Sequence, residues 1–334
     1  MLFRSFGFAL AISGDGNTVA VGANAEDSNA TTINGNQNDN SAQSAGAVYV
    51  YTRSGGAWTQ QAYVKPPNTF QNTQFGYSVS LSFDGNTLAA STYDEGGSSR
   101  TINGPYDRMR NGSGAVFIFT RAAGTWSQQA YLKAANAEAG DSLGVIVSLS
   151  DDGNTLAAGI LDEDCKAHGV NPPEKCDSDQ KDDLSTGAAV VYVRTGTQWS
   201  QQAFFKASNT GQDDWFGSRL RLSGDGNTLA ISAQLEDSDA KGINGDQEND
   251  RAQEAGSVFV YTRTGTTWTQ RAYVKAANNE AFDEFGSSMA LSRDGRWLAV
   301  GARGEDSGAK GINGNQNDNS VKEAGAVEVF AINP

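Results

Sequence analysis

The stretch FGFALAISGDGNTVAVGA, residues Phe6–Ala23, reads as a β-hairpin. Phe8, Leu10 and Ile12 alternate with Ala9, Ala11 and Ser13, the period of two that marks a strand. Gly14-Asp15-Gly16-Asn17 supplies residues that tolerate positive φ in a tight turn, and Thr18–Gly22 returns as a second apolar strand. The same text recurs as FGYSVSLSFDGNTLAAS from Phe75, LGVIVSLSDDGNTLAAG from Leu143, FGSRLRLSGDGNTLAIS from Phe216 and FGSSMALSRDGRWLAVG from Phe285. The starts lie 69, 68, 73 and 69 residues apart, a strand-rich period that points to a propeller or another repeat array.

Each repeat has a second half. After a long polar loop comes GAVYVYTR (Gly46–Arg53), a short turn, and WTQQAYVK (Trp58–Lys65). Its counterparts are GAVFIFTR with WSQQAYLK, GAAVVYVR with WSQQAFFK, and GSVFVYTR with WTQRAYVK. β-Branched and aromatic residues dominate both segments, so both are strands, and Ser54-Gly55-Gly56-Ala57 between them reads as a four-residue hairpin loop. Each unit is therefore four antiparallel strands, A to D, which is one propeller blade.

Five copies of one unit in 334 residues argue for a single repeat domain over 1–334, with blades at approximately 6–74, 75–142, 143–215, 216–284 and 285–334. The expected fold is all-β, a five-bladed β-propeller of four-stranded antiparallel blades whose last blade lacks a full outer strand. Strand D is written only four times, because Gly325–Pro334 is followed by nothing that could supply a fifth. Met1–Ser5 could span at most roughly 17 Å, while crossing a blade uses about three strand spacings of 4.8 Å each.

The net charge of −14 makes nucleic acid and anionic membrane surfaces poor partners. No run of about 18 apolar residues exists, so no membrane insertion is expected. MLFRSFGF lacks the charged-then-apolar layout of a signal peptide.

Phe-Gly opening strand A, the Asp-Gly turn, Val-Gly-Ala closing strand B and Gly-Ala-Val-Tyr-Val-Tyr opening strand C resemble the FG-GAP repeats of integrin α-subunit propellers and their bacterial relatives. The resemblance covers essentially the whole chain. It implies extracellular adhesion or ligand binding, with calcium often held in the A–B turn. Here that turn departs from the family pattern. Asp15, Asp84, Asp225 and Asp294 stand alone and only Asp151-Asp152 is doubled, whereas calcium takes about six to eight oxygens. These aspartates read as turn residues.

The B–C loops are the most informative. They run EDSNATTINGNQNDNS from Glu26, EDSDAKGINGDQENDR from Glu236 and EDSGAKGINGNQNDNS from Glu305. Antiparallel strands place the B–C and D–A loops on one face, where integrin propellers meet their ligands. Two readings of the loops stand. In one they hold calcium through Glu26, Asp27, Asn36, Asn38 and Asp39, with Glu236, Asp237, Asp246, Glu248 and Asp250, and with Glu305, Asp306, Asn315, Asn317 and Asp318. In the other, the same side chains satisfy the loops' own backbone through Asx-turns.

Cys165 and Cys176 lie together in the one B–C loop that has lost this text, which favours a disulfide worth roughly 2–3 kcal/mol. His168 is the only histidine and sits in that loop, which argues against Ser-His-Asp or Cys-His catalysis. The acids nearest the inner strands, Asp141, Asp213, Asp214, Asp283 and Glu284, precede strands A and would ring the channel mouth. Arg219 and Arg221 replace Ser78 and Ser80 of the second repeat; together with Asp214 and Asp283 they are the candidate ligand-binding residues. They either bind an anion or pair with the acidic mouth. Trp58, Trp126, Trp199 and Trp268, with the glutamine pairs of strand D, suggest either sugar stacking or cover for a blade edge.

These observations lead to the expectation of an extracellular or cell-surface binding or adhesion module without catalytic activity. Its ligand would be a protein or glycan at the B–C loop face, with calcium as the cofactor that the resemblance implies. A lectin is the first alternative, and a polysaccharide-cleaving enzyme with carboxylates at the channel mouth the second.

Overall fold

The computed structural model describes residues 5–173, 176 and 184–332. Its strands form five antiparallel sheets, and no helix occurs among the described residues. The first sheet is β1 (Phe6–Ile12), β2 (Thr18–Ala23), β3 (Ala47–Ser54) and β4 (Ala57–Val64); the second is β5 (Val79–Leu81), β6 (Thr87–Thr92), β7 (Ala115–Ala122) and β8 (Thr125–Leu132). The third is β9 (Leu143–Leu149), β10 (Thr155–Ile160), β11 (Ala188–Thr195) and β12 (Gln198–Phe205). The fourth is β13 (Phe216–Leu222), β14 (Thr228–Ala233), β15 (Ser257–Thr264) and β16 (Thr267–Val274). The fifth has three strands, β17 (Phe285–Leu291), β18 (Trp297–Ala302) and β19 (Ala326–Ala331). The fold is an all-β, five-bladed β-propeller with a three-stranded last blade, as the repeats predict. By packing the chain divides into two compact units, 1–160 with 190–202, and 161–189 with 203–334.

The A–B turn is held by its own side chains. Asp15 accepts hydrogen bonds from Ser13 Oγ (2.6 Å), Asn17 N (2.9 Å) and Asn17 Nδ2 (3.0 Å). The same set recurs at Asp84, Asp152 and Asp225. These donors, the Ser13 hydroxyl first, hold the Asp15 carboxyl at about 2. The C–D connection is tighter than the sequence suggests. β3 runs through Ser54 and β4 starts at Ala57, leaving a two-residue loop, Gly55-Gly56, with φ of 57° and 84°. Two consecutive positive-φ residues belong to a type I′ turn, whose twist matches the strands.

Strands C and D are paired with a bulge. Val50 faces Ala62 and Tyr51 faces Gln60, so Gln61 is left over; Gln129 occupies the same position in β8. The bulge aims each glutamine at the next repeat. Gln61 Oε1 accepts from Trp126 Nε1 (2.9 Å) and Arg121 Nη1 (2.9 Å), and Gln129 Oε1 accepts from Trp199 Nε1 (2.9 Å) and Arg194 Nη1 (3.1 Å). Trp126 and Trp199 are buried beneath their arginines, which covers the blade edge and leaves no ring face for a sugar.

Within the first unit, Ala20, Val48, Val50 and Val64 of the first sheet pack on Phe75, Leu88, Phe117 and Tyr131 of the second. Within the second unit, Ala230, Val258, Val260 and Val274 pack on Phe285, Met289, Leu298 and Val300. Small and branched residues on one face thus receive the aromatic and long aliphatic residues of the next. Each large side chain so buried contributes about 1.5–3 kcal/mol.

The phenylalanine-glycine and glycine-alanine signatures meet in these interfaces. Gly46 forms a parallel bridge with Phe75, as Gly114 does with Leu143 and Gly187 with Phe216. Gly46 has φ 81°, and a Cβ there would lie 2.1 Å from the Phe75 carbonyl oxygen. The repeat text is therefore a record of backbone-to-backbone docking.

Candidate functional site

The B–C loops turn their acidic groups inward. Glu26 is buried and paired with Lys65 Nζ at 3.2 Å, and the ammonium also donates to the carbonyls of Ser28 (2.7 Å) and Gly46 (2.6 Å). Glu95 pairs with Lys133 at 3.1 Å and Glu236 with Lys275 at 2.8 Å. Burial pulls all three lysines below their ordinary value, and the facing glutamates oppose this. In the last blade, without a strand D lysine, Glu305 accepts from Asn278 Nδ2 (2.7 Å) and Ser307 N (3.0 Å). Sequence reading missed these lysines as partners. The available signal was that four D strands end in Lys, while the loops behind them open on Glu.

The remaining loop residues tie backbone. Asp27 accepts from Ser44 N (2.8 Å), Asp237 from Glu254 N (2.7 Å) and Asp306 from Glu323 N (2.7 Å). Asn36 accepts from Asn38 N, Asp246 from Glu248 N and Asn315 from Asn317 N. Asp39 accepts from Asn29 N, Ser41 N and Ser41 Oγ, and the Ser41 bonds hold its carboxyl below the usual range. Asp250 is exposed, and Asp318 lends its carbonyl to Gly308 N. Among the described residues the one close cluster of acids and thiols is Glu163, Cys165 and Cys176, and both of its sulfurs are in a disulfide. Apart from that cluster, no three acidic or thiol groups among the described residues come as close together as a calcium ion with several oxygen ligands asks.

The acids ahead of strands A fix the linker turn. Asp141, Asp214 and Asp283 accept from the amides of Glu138 (2.6 Å), Gly211 (2.7 Å) and Glu280 (2.8 Å). Asp214 is flanked by Asp213 and Trp215, both at positive φ, and Asp283 by Phe282 and Glu284 in the same conformation. Burial raises the Asp214 carboxyl to about 7 and that of Asp283 to about 6. A carboxyl that titrates higher when folded makes the native state bind more protons than the unfolded chain, so its contribution to stability falls as pH rises from about 4 to 7. Asp214→Asn keeps the acceptor for Gly211 N and removes that titration. Thermal melts across pH 4–8 should show a shallower loss of stability in Asp214→Asn than in the parent; parallel curves would contradict this.

Arg219 and Arg221 alternate with the buried Leu220 and Leu222 on β13, so they share one face about 7 Å apart along the strand. Each is half-buried, with its Nη1 donating to the carbonyl of the preceding residue, Ser218 or Leu220, at 2.8 Å. Among the described residues neither is in an ion pair; the acidic groups ahead of the strand are engaged elsewhere. Burial, and then the charge of Arg219, pull the Arg221 guanidinium down. In the second repeat the same positions are Ser78 and Ser80, whose hydroxyls accept from Val147 N (3.1 Å) and Leu149 N (3.0 Å). A pair of cations thus stands where another repeat has inter-strand ties.

The Cys165–Cys176 disulfide is formed and indicates a non-cytoplasmic setting. Among the described residues, no helix is long and apolar enough to cross a membrane.

A family profile for the FG-GAP repeat matches residues 268–330. Comparison with curated proteins finds no match. Among solved structures, the chain is similar to a protein assigned as a 6-phosphogluconolactonase from Bacteroides uniformis, at 14% identity and TM-score 0.53, covering 98% of this chain and 68% of that one. It is also similar to a periplasmic gluconolactonase from Pseudomonas aeruginosa, at 18% identity and TM-score 0.50, covering 90% of this chain and 66% of that one. The chain thus spans about two thirds of the length of each. At such identity the likeness is one of fold. It nevertheless overturns the expectation of a non-catalytic adhesion module, because these neighbouring propellers are named as lactonases and the FG-GAP text marks only the fold. The lectin and polysaccharide-cleaving alternatives fall with it. The tryptophans of the second and third repeats are bonded to glutamines, and Asp214 and Asp283 are bonded within their turns.

Proposed function

We propose that this FG-GAP repeat β-propeller is a hydrolase of small anionic lactones working outside the cytoplasm, with Arg219 and Arg221 on β13 holding the anionic group. The observation that carries the reading is the pair itself: two half-buried guanidiniums on one strand face, bonded among the described residues only to backbone carbonyls. A guanidinium presents several donors in a planar fork that matches carboxylate and phosphate oxygens, and charge-assisted bonds of this kind are about twice as strong as neutral ones. The lactonase names of the two structures similar in fold supply the substrate class, a sugar-acid lactone and in one case a phosphorylated one. The net charge of −14 opposes non-specific anion capture, so anion binding by this chain reports a specific site.

Calorimetric titration with inorganic phosphate and with 6-phosphogluconate tests the site. The parent should bind 6-phosphogluconate, and Arg219→Gln or Arg221→Gln should weaken it roughly 10-fold or more. Equal binding by the parent and the double variant would overturn the assignment.

A further inference from the structure

The second blade departs from the repeat in the loop between β6 and β7 and in the linker ahead of β5. TINGNQND, residues 32–39, becomes TINGPYDR, residues 101–108, so that Tyr106 replaces Gln37 and Arg108 replaces Asp39. Gly97 replaces Ser28, and Phe70 stands where the later linkers have Glu138, Gly211 and Glu280. Phe70, Gly97, Tyr106 and Arg108 all belong to the first unit.

In the first, fourth and fifth blades a serine clamps this loop shut. Ser28 Oγ donates to the Asn36 carbonyl at 2.8 Å, Ser238 Oγ to that of Asp246 at 2.7 Å and Ser307 Oγ to that of Asn315 at 3.0 Å. In the fourth and fifth the linker asparagine adds a tie. Asn209 Nδ2 donates to Glu236 and to the Gln247 carbonyl, both at 2.8 Å, and Asn278 Nδ2 to Glu305 and to the Gln316 carbonyl, both at 2.7 Å. The second blade has neither closure. Gly97 has no hydroxyl, and Asp107 instead holds Ser98 through its amide (2.7 Å) and hydroxyl (2.6 Å). Asn68 Nδ2 donates to Glu95 at 2.9 Å, and among the described residues its second hydrogen has no acceptor. The loop stands open over a cavity of about 270 Å³ whose lining includes Asn68, Phe70, Glu95, Tyr106, Asp107 and Arg108.

The Arg108 guanidinium lies over the Phe70 ring, 3.1 Å from its centroid, and among the described residues it has no hydrogen-bond acceptor. Stacking holds a guanidinium by its face and leaves the donors in its plane for a ligand. Tyr106 adds a second ring, packed on Tyr131 at 4.9 Å yet 44% exposed. We infer that this cavity binds a small organic carboxylate with a flat apolar body, a site separate from the pair on β13. Arg108 and the second Asn68 hydrogen take the carboxylate oxygens, and the body lies against Tyr106. The guanidinium fork matches a carboxylate bidentately. Glu95 and Asp107 line the same cavity, and their repulsion favours a ligand with one negative charge over a phosphate with two.

Calorimetric titration with benzoate tests this. The parent should bind benzoate, and Arg108→Gln and Phe70→Ala should each weaken it about 10-fold or more. Both substitutions are at exposed positions, and circular dichroism checks that the variants fold. Acetate, which has no ring, should bind the parent at least about 10-fold more weakly than benzoate. The Arg219→Gln/Arg221→Gln variant should bind benzoate as the parent does, which separates this site from the one on β13. Saturation-transfer NMR gives a readout without substitution: the ring protons of benzoate should be labelled by the parent protein. No binding of benzoate by the parent up to about 10 mM, equal affinity in the parent and Arg108→Gln, or loss of benzoate binding in the Arg219→Gln/Arg221→Gln variant would overturn the inference.

Discussion

Glu95→Ala is expected to destabilise the protein by roughly 3–5 kcal/mol, because it leaves a buried ammonium without its carboxylate. Lys133 Nζ lies 3.1 Å from Glu95 Oε2, 2.6 Å from Ser113 Oγ and 2.5 Å from the Gly114 carbonyl, and Glu95 also accepts from Tyr131 Oη and Asn68 Nδ2. One carboxylate therefore ties the B–C loop to the end of strand D in its own blade and to Asn68 in the linker that precedes that blade. Without it the burial that already lowers the lysine is unopposed, and the folded state favours the neutral amine. The folded variant then binds fewer protons than its unfolded chain, so its stability rises with pH up to the lysine's ordinary value near 10.5. Denaturant titrations at pH 7 and pH 9.5 check both statements: the deficit should be large at the lower pH and smaller at the higher. Replacing both partners, Glu95→Leu with Lys133→Met, should recover much of the loss. A deficit under about 1 kcal/mol for Glu95→Ala would mean that the pair does not anchor the loop.

Gly46→Ala should be at least as damaging, by roughly 4 kcal/mol or more. The added methyl demands positive φ, at a cost of about 1–2 kcal/mol, and meets the Phe75 carbonyl oxygen at 2.1 Å, where only movement of a backbone can relieve it. Gly55→Ala is the control. Its φ is also positive, at 57°, but nothing lies within 4 Å, so it should cost only about 1–2 kcal/mol. The difference between the two isolates the docking of one blade on the next. Equal losses would show that the glycine serves conformation alone.

Strand order, blade phase and the three-stranded last blade were legible in the sequence because they rest on local rules. Period-two alternation, turn residues at Asp15-Gly16 and repetition act within a few residues of one another. The inter-repeat chemistry was not legible in the same way. Gln61 reads as half of a polar pair until a bulge aims it at Trp126, and Lys65 reads as a strand end until the fold sets it against Glu26. The C–D loop came out shorter than expected because two positive-φ glycines let the strands continue to Ser54 and from Ala57.

The functional misreading has a similar cause. Phe-Gly, Asp-Gly and Gly-Ala-Val, which carry the integrin resemblance, serve docking and turns in this fold. They specify how blades stack and nothing of what the protein acts on. Arg219 and Arg221, the residues of the proposed anion site, stand out for the opposite reason, as a departure from the repeat. A deviation that breaks an inter-strand tie on an inner strand carries more functional information than residues that repeat.

The most direct measurement is the rate of ring opening of 6-phosphogluconolactone and of unphosphorylated gluconolactone, followed as acid release and corrected for spontaneous hydrolysis. The parent should accelerate ring opening and prefer the phosphorylated lactone, and the Arg219→Gln/Arg221→Gln variant should lose that preference. Rates equal to the spontaneous reaction with both lactones, from folded parent protein, would contradict it.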